Sequence, residues 1–281
     1  MGGSLASIFE DTAQVRIWDT DPSRCRNAEN VEEFAKGADI IFVCVPSWAV
    51  RKSVQPVAGI LSETAVVVSL SKGMDAAGLT ADRVLADLLP QTQPIVVLGG
   101  PLLAEEVGGQ RSGMGLVASP DESARSKVRD ILEKAGLFVE ESEDADSTAL
   151  AGTLKNVYAL FIGMVYELGY GENLHGYFLA RCCNELEEVG YELGGDTGVL
   201  RGTAGLGDFL ATSLSEGSLN VSVGRDWITK DGDVRQSEGL VSIAPLWGLL
   251  EKEAGEFPLL DTLYEIVHEG GNARELIAEL L

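Results

Sequence analysis

The sequence contains little histidine and little cysteine. Its histidines are His175 and His268, and its four cysteines are spread over 281 residues. No two cysteines form the Cys-x-x-Cys pair that is typical of metal-binding and redox sites. The sequence therefore predicts no metal site, and it predicts reduced thiols, as in a cytosolic protein. The cysteines are Cys25, Cys44, Cys182 and Cys183.

Positive charge is also scarce. The chain has 21 Lys and Arg against 44 Asp and Glu, which gives a formal net charge of −23. Such a field repels nucleic acid and anionic membranes, so we predict neither as a partner. Any anionic ligand must instead find a local positive site. The acid excess has two open interpretations, solubility and adaptation to high salt.

Export and membrane signals are not evident in the sequence. The amino terminus has no basic stretch followed by an apolar core, which is the pattern of a secretory signal. No continuous run approaches the roughly 18 apolar residues of a membrane helix. We therefore expect a cytoplasmic protein.

Short apolar runs alternate with helical patterns in the first half of the chain. Their hydrophobicity is continuous, which favours strands covered on both faces in a parallel sheet. Helical patterns such as residues 81–89 and 122–135 separate them, so the sequence predicts an α/β doubly wound sheet of the Rossmann type. The predicted strands are residues 15–18, 39–45, 65–70, 94–98 and 115–118.

The pattern changes after about residue 140, where long apolar stretches have helical spacing and no strand is evident. Such helices must be buried against each other or against a partner subunit. The sequence thus predicts an all-helical second domain. The predicted helices are residues 147–168, 173–193, 207–214, 240–252 and 259–267.

The amino terminus resembles the end of a dinucleotide-binding fingerprint. Such a domain opens with a strand, Gly-x-Gly-x-x-Gly and a helix, and an acidic residue ends its second strand. We interpret Gly2 as the final glycine and Asp19 as the ribose-binding acid, with Leu5, Ala6, Ile8 and Phe9 facing the sheet. The first strand and two glycines would then be missing. Either the true start lies upstream, which we favour, or the chain binds dinucleotide poorly, and a bare helix start is the simpler alternative.

Four later motifs are more specific. Each places polar residues beside a strand end or inside an apolar helix, where open α/β sheets and helical domains keep their ligand-binding groups. Two of their residues also have purely structural interpretations: Lys72 as a charged residue in a surface loop, and Asp208 as a helix cap. The motifs are Ser69-Leu70-Ser71-Lys72-Gly73, Gly100-Pro101-Leu102-Leu103-Ala104-Glu105-Glu106, Leu154-Lys155-Asn156-Val157 and Ala204-Gly205-Leu206-Gly207-Asp208.

Lys155 is the hardest of these residues to explain structurally. Its neighbours on the predicted helix are apolar, and burying an unpaired ammonium there is costly. A structural salt bridge with a carboxylate such as Asp208 is one explanation. A catalytic lysine paired with that carboxylate is the explanation we prefer.

The order and spacing of these motifs resemble those of the NAD(P)-dependent glycerol-3-phosphate dehydrogenases, over essentially the whole chain from Gly2 onward. The resemblance implies a dinucleotide-binding domain, residues 1–140 and truncated at its amino terminus, followed by a helical substrate and dimerisation domain, residues 141–281. It also implies a homodimer that interconverts dihydroxyacetone phosphate and glycerol 3-phosphate in glycerophospholipid metabolism. The cofactor would be NAD, with NADP as the alternative.

The resemblance assigns roles to ten residues. Lys155 would protonate and stabilise the developing alkoxide, Lys72 would position the substrate, and Asp208 would hold the charge and orientation of Lys155. The remaining residues would contact the two ligands. Those at the substrate or its phosphate are Asn156, Thr212 and Asn220, and those at the cofactor are Gly2, Asp19, Pro46 and Glu106.

The chain departs from the family at the phosphate-binding segment. Where the family has serine-arginine-asparagine, this chain has Ser218-Leu219-Asn220, and leucine donates no hydrogen bond. Arg225 or Arg201 would have to compensate. His175 also stands where the family often has lysine, and Leu102 where it often has serine.

Three hypotheses follow. The chain is a glycerol-3-phosphate dehydrogenase with a rearranged phosphate site, a related dehydrogenase for another carbonyl compound, or a catalytically silent member with a binding or regulatory role. Asp19 favours NADH, because a carboxylate bonds the ribose hydroxyls and repels a 2′-phosphate, although Arg16 and Arg24 are near it in sequence.

Overall fold

The computed structural model describes residues 1–109, 112–230, 232–250 and 255–281. It divides into two compact units. The first comprises residues 1–71 and 81–149, and the second comprises residues 72–80 and 150–281. The functional assignment of the predicted domains, 1–140 and 141–281, stays a prediction.

The first unit contains a five-stranded sheet in the order β1-β2-β3-β4-β5. Strands β1, β2 and β3 run parallel, as do β4 and β5, but β3 and β4 pair antiparallel. The predicted α/β sheet is therefore confirmed, and its uniformly parallel order is corrected at one pairing. The strands are β1 Ile40–Val43, β2 Val66–Ser69, β3 Ile95–Gly99, β4 Met114–Ala118 and β5 Phe138–Ser142.

Helices cover this sheet. Helix α1 buries Leu5, Ala6 and Phe9, and the Phe9 ring lies 5.2 Å from that of Phe42 in β1. The predicted orientation of this helix toward the sheet is confirmed. The helices of this unit are α1 Gly2–Phe9, α2 Val31–Ala35, α3 Val50–Val54, α4 Ala81–Leu88, α5 Ala104–Gly108 and α6 Glu122–Lys134.

Two strand predictions were wrong. Residues 15–18 form only an isolated antiparallel bridge, between Ile17 and Arg26. The carbonyl oxygen of Val15 accepts a hydrogen bond from the Asn27 side chain, so a side chain takes the place of a strand partner there. Strand β5 was missed because it carries two exposed acidic residues, Glu140 and Glu141, which lower its apolar character.

The second unit is helical, as predicted. Its first helix, α7, begins in the first unit, and it is long and apolar enough by length and composition to cross a membrane, although Lys155 and Asn156 interrupt its apolar run. Its most apolar 18-residue window is entirely buried inside the protein. The helices are α7 Ala145–Leu168, α8 Glu172–Glu192, α9 Thr197–Arg201, α10 Asp208–Leu214, α11 Leu219–Lys230, α12 Glu238–Leu249, α13 Pro258–Tyr264 and α14 Ala273–Glu279.

Helices α7 and α11 cross at glycines. A Cβ atom on Gly163 would clash with the carbonyl oxygen of Val221, and one on Gly224 would clash with that of Leu160. The backbones therefore approach more closely than larger residues permit. This contact fixes α11 against the second half of α7, the helix that also carries Lys155. The end of the predicted helix 240–252, residues 251 and 252, lies outside the described residues.

Candidate active site

Two lysines and one aspartate meet in the helical unit. Lys72 Nζ lies 2.6 Å from Asp208 Oδ2, and Lys155 Nζ lies 3.3 Å from Asp208 Oδ1. Lys155 and Asp208 are only 6% and 1% exposed. One buried carboxylate thus bridges two ammonium groups, so the structure brings together the three residues predicted to be catalytic.

The local helix geometry explains this cluster. Asp208 is the first residue of α10 and follows a π-helical turn at Thr203–Gly207, a feature frequent at functional sites. Thr212 lies one turn later on the same helix face. Its Oγ1 accepts a 2.8 Å hydrogen bond from Lys155 Nζ and lies 3.3 Å from Asp208 Oδ1, to which it donates. Both sides of the Lys155 ammonium are therefore held by α10.

Burial and charge set the protonation of this cluster in opposite directions. Burial lowers the pKa of Lys155 to about 8, although Asp208 acts to raise it and Lys72 to lower it further. Burial alone would raise the pKa of Asp208, but the ammonium groups of Lys155 and Lys72 together hold that pKa below its usual range. At neutral pH the carboxylate is ionised, and Lys155 carries a proton that it loses as the pH rises through about 8.

Two asparagine side chains connect the cluster to its surroundings. Asn220 Nδ2 donates to Asn156 Oδ1 at 2.7 Å, and Asn156 Nδ2 donates to the carbonyl oxygen of Lys72 at 2.6 Å. The backbone N–H of Gly239 donates to Asn220 Oδ1 at 2.9 Å. The two amides thus orient the backbone at Lys72 and tie α12 to α11. Their contact with substrate stays a prediction.

The predicted cofactor residues lie in the first unit. A Cβ on Gly2 would meet the Cβ of Cys44 at 3.3 Å, so α1 begins beside the carboxyl end of β1. Pro46 follows that strand and precedes a 3₁₀ turn. At the end of the neighbouring strand β2, the buried Ser69 hydroxyl has no hydrogen-bond partner within the described residues. A helix start and an unpartnered hydroxyl at the carboxyl ends of parallel strands fit a bound dinucleotide.

The other two predicted cofactor residues occupy separate elements of that unit. Asp19 is half-buried, and its Oδ1 accepts the backbone N–H of Asp21. Glu106 lies in the first turn of α5. Of the arginines near Asp19, Arg16 donates to two backbone carbonyls at the end of α2, and Arg24 pairs with Asp21.

The residues that depart from the resemblance have clear positions. Leu219 is the first residue of α11, and 41% of it is exposed. Arg201 pairs with Glu187 at 2.7 Å, and the Arg225 guanidinium lies over the ring of Tyr166. Arg201 is therefore already paired with a carboxylate, whereas Arg225 is held over an aromatic ring.

The remaining departures lie in packed surroundings. Leu102 is buried in the core of the sheet. The rings of His175 and Tyr166 form a T-shaped pair with their centroids 4.4 Å apart, and within the described residues the His175 nitrogens make no hydrogen bond. Sequence reasoning missed Arg235, which approaches Ser222 in α11. No motif marks this residue, because it stands alone in a polar loop.

Comparison with known proteins decides the family. Two family models match the chain: the N-terminus of NAD-dependent glycerol-3-phosphate dehydrogenase over residues 22–125 and its C-terminus over residues 144–278. The chain belongs to the NAD-dependent glycerol-3-phosphate dehydrogenase family. Family members are nicotinamide-dependent oxidoreductases, which confirms the resemblance found in the sequence.

Relatives of the family cover most of the chain. The glycerol-3-phosphate dehydrogenase [NAD(P)+] of Alcanivorax borkumensis is 32% identical, and the alignment covers 92% of this chain and 78% of that protein. The enzyme of the same name from Clostridium tetani is 28% identical over 92% of this chain and 76% of that protein. A crystal structure of glycerol-3-phosphate dehydrogenase from Coxiella burnetii has a TM-score of 0.79 at 24% identity, covering 89% of this chain and 79% of that one, which establishes the shared fold.

Proposed function

We propose that the protein catalyses the reversible, NAD(H)-dependent reduction of dihydroxyacetone phosphate to glycerol 3-phosphate. The observation that carries the proposal is the buried cluster of Lys155, Asp208, Lys72 and Thr212. Two close ammonium groups around one carboxylate suit a reaction in which negative charge develops on a carbonyl oxygen. Membership of the family supports the same reaction.

Lys155 is the proton donor of this proposal. A nicotinamide cofactor, when bound, would supply the hydride for the carbonyl carbon. The Lys155 ammonium donates a proton to the carbonyl oxygen as that oxygen becomes an alkoxide. A pKa of about 8 suits this task, because the group is protonated at neutral pH and releases its proton without a large free-energy cost. In the oxidative direction the neutral amine accepts the proton from the alcohol.

The other residues of the cluster hold Lys155 in place. Asp208 keeps the ammonium charged although it is buried, and Thr212 fixes its direction by a hydrogen bond. Lys72 contributes a second positive charge, and its backbone is held by Asn156. Asn156 and Asn220 each keep one amide hydrogen beyond the bonds described above, which is available for a substrate oxygen.

A second substrate class is favoured by one observation. Leu219 is exposed at the start of α11, beside the asparagine pair, and it offers an apolar surface instead of a cation. A carbonyl compound without a phosphate would suit that surface. The same lysine and aspartate chemistry would act on it.

The cofactor proposal is NADH in preference to NADPH. Asp19 presents a carboxylate directly after residues 15–18, and a carboxylate disfavours a 2′-phosphate. The engagement of Arg16 with the end of α2 supports this preference, because that guanidinium already has two acceptors. Gly2, Pro46 and Glu106 are the other residues proposed to line the cofactor site.

The proposal extends to the cellular setting. We expect a cytoplasmic homodimer acting in glycerophospholipid metabolism on a phosphorylated triose, without nucleic-acid or membrane partners. The net charge of −23 supports the last two expectations, because it repels polyanions and anionic lipids. Analytical ultracentrifugation tests the dimer, and a monomer at assay concentration would refute it.

The direct test is NADH oxidation by the purified protein with dihydroxyacetone phosphate, with the product identified by mass spectrometry. Dihydroxyacetone, which lacks the phosphate, and a panel of keto acids serve as comparison substrates. We expect turnover with dihydroxyacetone phosphate, and a Lys155→Met variant that binds NADH normally should lose about 100-fold or more in kcat. Turnover of only the unphosphorylated compounds would favour the second substrate class instead.

A further inference from the structure

A substrate phosphate needs positive charge to bind it, and the positive charges of the lysine cluster are already balanced by carboxylates. Lys72 and Lys155 share Asp208, and Glu238 is close enough to act electrostatically on Lys155. Two positive charges thus face two negative ones. A phosphate dianion bound at this site therefore needs a further cation, more so in a chain with a net charge of −23.

The start of α11 is the place where that cation is absent. Asn220 is hydrogen-bonded to Asn156, the residue next to Lys155, so the first turn of α11 borders the cluster. Leu219 begins that turn and is 41% exposed, and it offers no donor. The exposed face at the border of the site is therefore apolar at this position.

Arg235 reaches the same face from a different segment. Its Nη2 atom lies 3.4 Å from Ser222 Oγ, and Ser222 is three residues after Leu219, which places the two on one side of the helix. Arg235 itself is exposed, and within the described part of the chain it forms no ion pair with a carboxylate. Among the described residues, one long hydrogen bond holds its guanidinium, and an anion can replace that bond.

The loop that carries Arg235 is anchored beside the site. Three residues after Arg235 comes Glu238, the first residue of α12, and the N–H of Gly239 donates to Asn220 Oδ1 at 2.9 Å. Ser237 is buried and caps α12 through its Oγ. Arg235 is thus tethered within a few residues of the amide pair. By contrast, Arg201 is paired with Glu187.

We propose that Arg235 binds the phosphate group of the substrate, supplying from the loop before α12 the cation that Leu219 does not supply. This inference rests on the proposed function, because Arg235 would be the residue that selects the phosphorylated substrate of that reaction. A guanidinium is suited to the role, since it binds phosphate oxygens through two parallel N–H donors.

The test compares Arg235→Gln with Arg201→Gln, a control that removes another surface arginine of the same unit. For Arg235→Gln we expect kcat/KM with dihydroxyacetone phosphate to fall about 30- to 100-fold, mainly through KM, as for a lost charge-assisted contact. Turnover of dihydroxyacetone should not change. The inhibition constant of inorganic phosphate should rise in parallel, and Arg201→Gln should behave like the wild type.

A rescue variant sharpens the test. Adding Leu219→Arg to Arg235→Gln restores an arginine one turn from Ser222, and it should recover much of the lost preference for the phosphorylated substrate. Equal loss with both substrates, or an unchanged KM in Arg235→Gln, would overturn the inference. If the wild type does not turn over dihydroxyacetone phosphate, the proposed function fails. Calorimetric titration of the wild type and Arg235→Gln with inorganic phosphate then decides the phosphate site by itself, and equal affinities would refute it.

Discussion

Replacing Asp208 with asparagine tests the electrostatic logic of the site. The side chain keeps its size, but the carboxylate charge that two lysines share is removed. Burial of Lys155 and its repulsion by Lys72 remain, and both lower the pKa of Lys155. We therefore expect that pKa to fall below its present value of about 8.

The size of the effect follows from the distances. A unit charge 3.3 Å from Lys155 Nζ contributes about 5 kcal/mol at an effective dielectric constant of about 20. Because the asparagine dipole replaces part of this, we expect a net loss of about 3 kcal/mol, which corresponds to a shift of about two pKa units. The pKa of Lys155 would then be about 6. At about pH 7 the protonated fraction falls from about 0.9 to about 0.1, so reduction slows about tenfold from this cause alone.

The assay is kcat/KM for reduction of dihydroxyacetone phosphate from about pH 5 to about pH 9, a profile that reports the pKa values of the free enzyme. In the wild type, activity should decline above about pH 8 as Lys155 loses its proton. In Asp208→Asn this decline should begin about two pH units lower. Near about pH 5 Lys155 is protonated in both proteins, so the part of the activity difference that comes from its protonation should vanish.

The matched control is Thr212→Val, which removes a neutral hydrogen-bond partner of Lys155 and no charge. Its decline should move by less than about one unit, because such a bond contributes about 1 kcal/mol. An Asp208→Asn profile that declines at the wild-type pH would refute the reasoning, since the carboxylate would then not set the pKa of Lys155.

Further predictions concern stability. Burial raises the pKa of Glu185 to about 7, although the N–H groups of Leu259 and Leu260 at the start of α13 act to lower it. The pKa of Glu185 is higher in the folded state than the unfolded value of 4.5, so protonation of Glu185 stabilises the fold. This contribution to the free energy of unfolding is fully present below about pH 4.5 and is lost as the pH rises through about 7. In urea unfolding experiments, the stability of Glu185→Gln should no longer depend on pH in this range. At low pH this variant should be less stable than the wild type by about 1–3 kcal/mol, because one backbone N–H loses its acceptor. An unchanged pH dependence would contradict the assignment. Gly163→Ala should lower the melting temperature strongly because its Cβ meets the Val221 carbonyl, whereas Gly176→Ala, with open space at the same test atom, should be neutral or stabilising by up to about 1 kcal/mol; equal effects would contradict the close crossing.

The sequence was most informative where chemistry conflicted with its surroundings. Lys155 stood out because an ammonium in an apolar helix needs a partner, and Asp208 proved to be that partner. The double use of this carboxylate by Lys72 was not predictable, since it depends on the meeting of three segments distant in sequence. Arg235 was missed because an exposed arginine in a polar loop has no pattern, and only its distance to Ser222 reveals its position.

The fold was predictable to the extent that burial leaves a pattern. Strand β2 is buried at all four positions and was found, whereas β5 is largely exposed and was not. The direction of β4 leaves no trace in its composition, because antiparallel and parallel strands buried on both faces have the same apolar residues. Residues 15–18 have the composition of a strand, but composition does not show whether a neighbouring strand exists.

The central claim is that the chain transfers hydride to the carbonyl carbon of dihydroxyacetone phosphate with Lys155 as proton donor. The most direct measurement supplies NADH deuterated at C4 of the nicotinamide, in each of its two stereoisomers, and analyses the glycerol 3-phosphate by mass spectrometry. We predict that one stereoisomer transfers a single deuterium to the carbon that was the carbonyl, and that Lys155→Met forms this labelled product at least about 100-fold more slowly. Unlabelled product from both stereoisomers, or equal rates for the two proteins, would contradict the account.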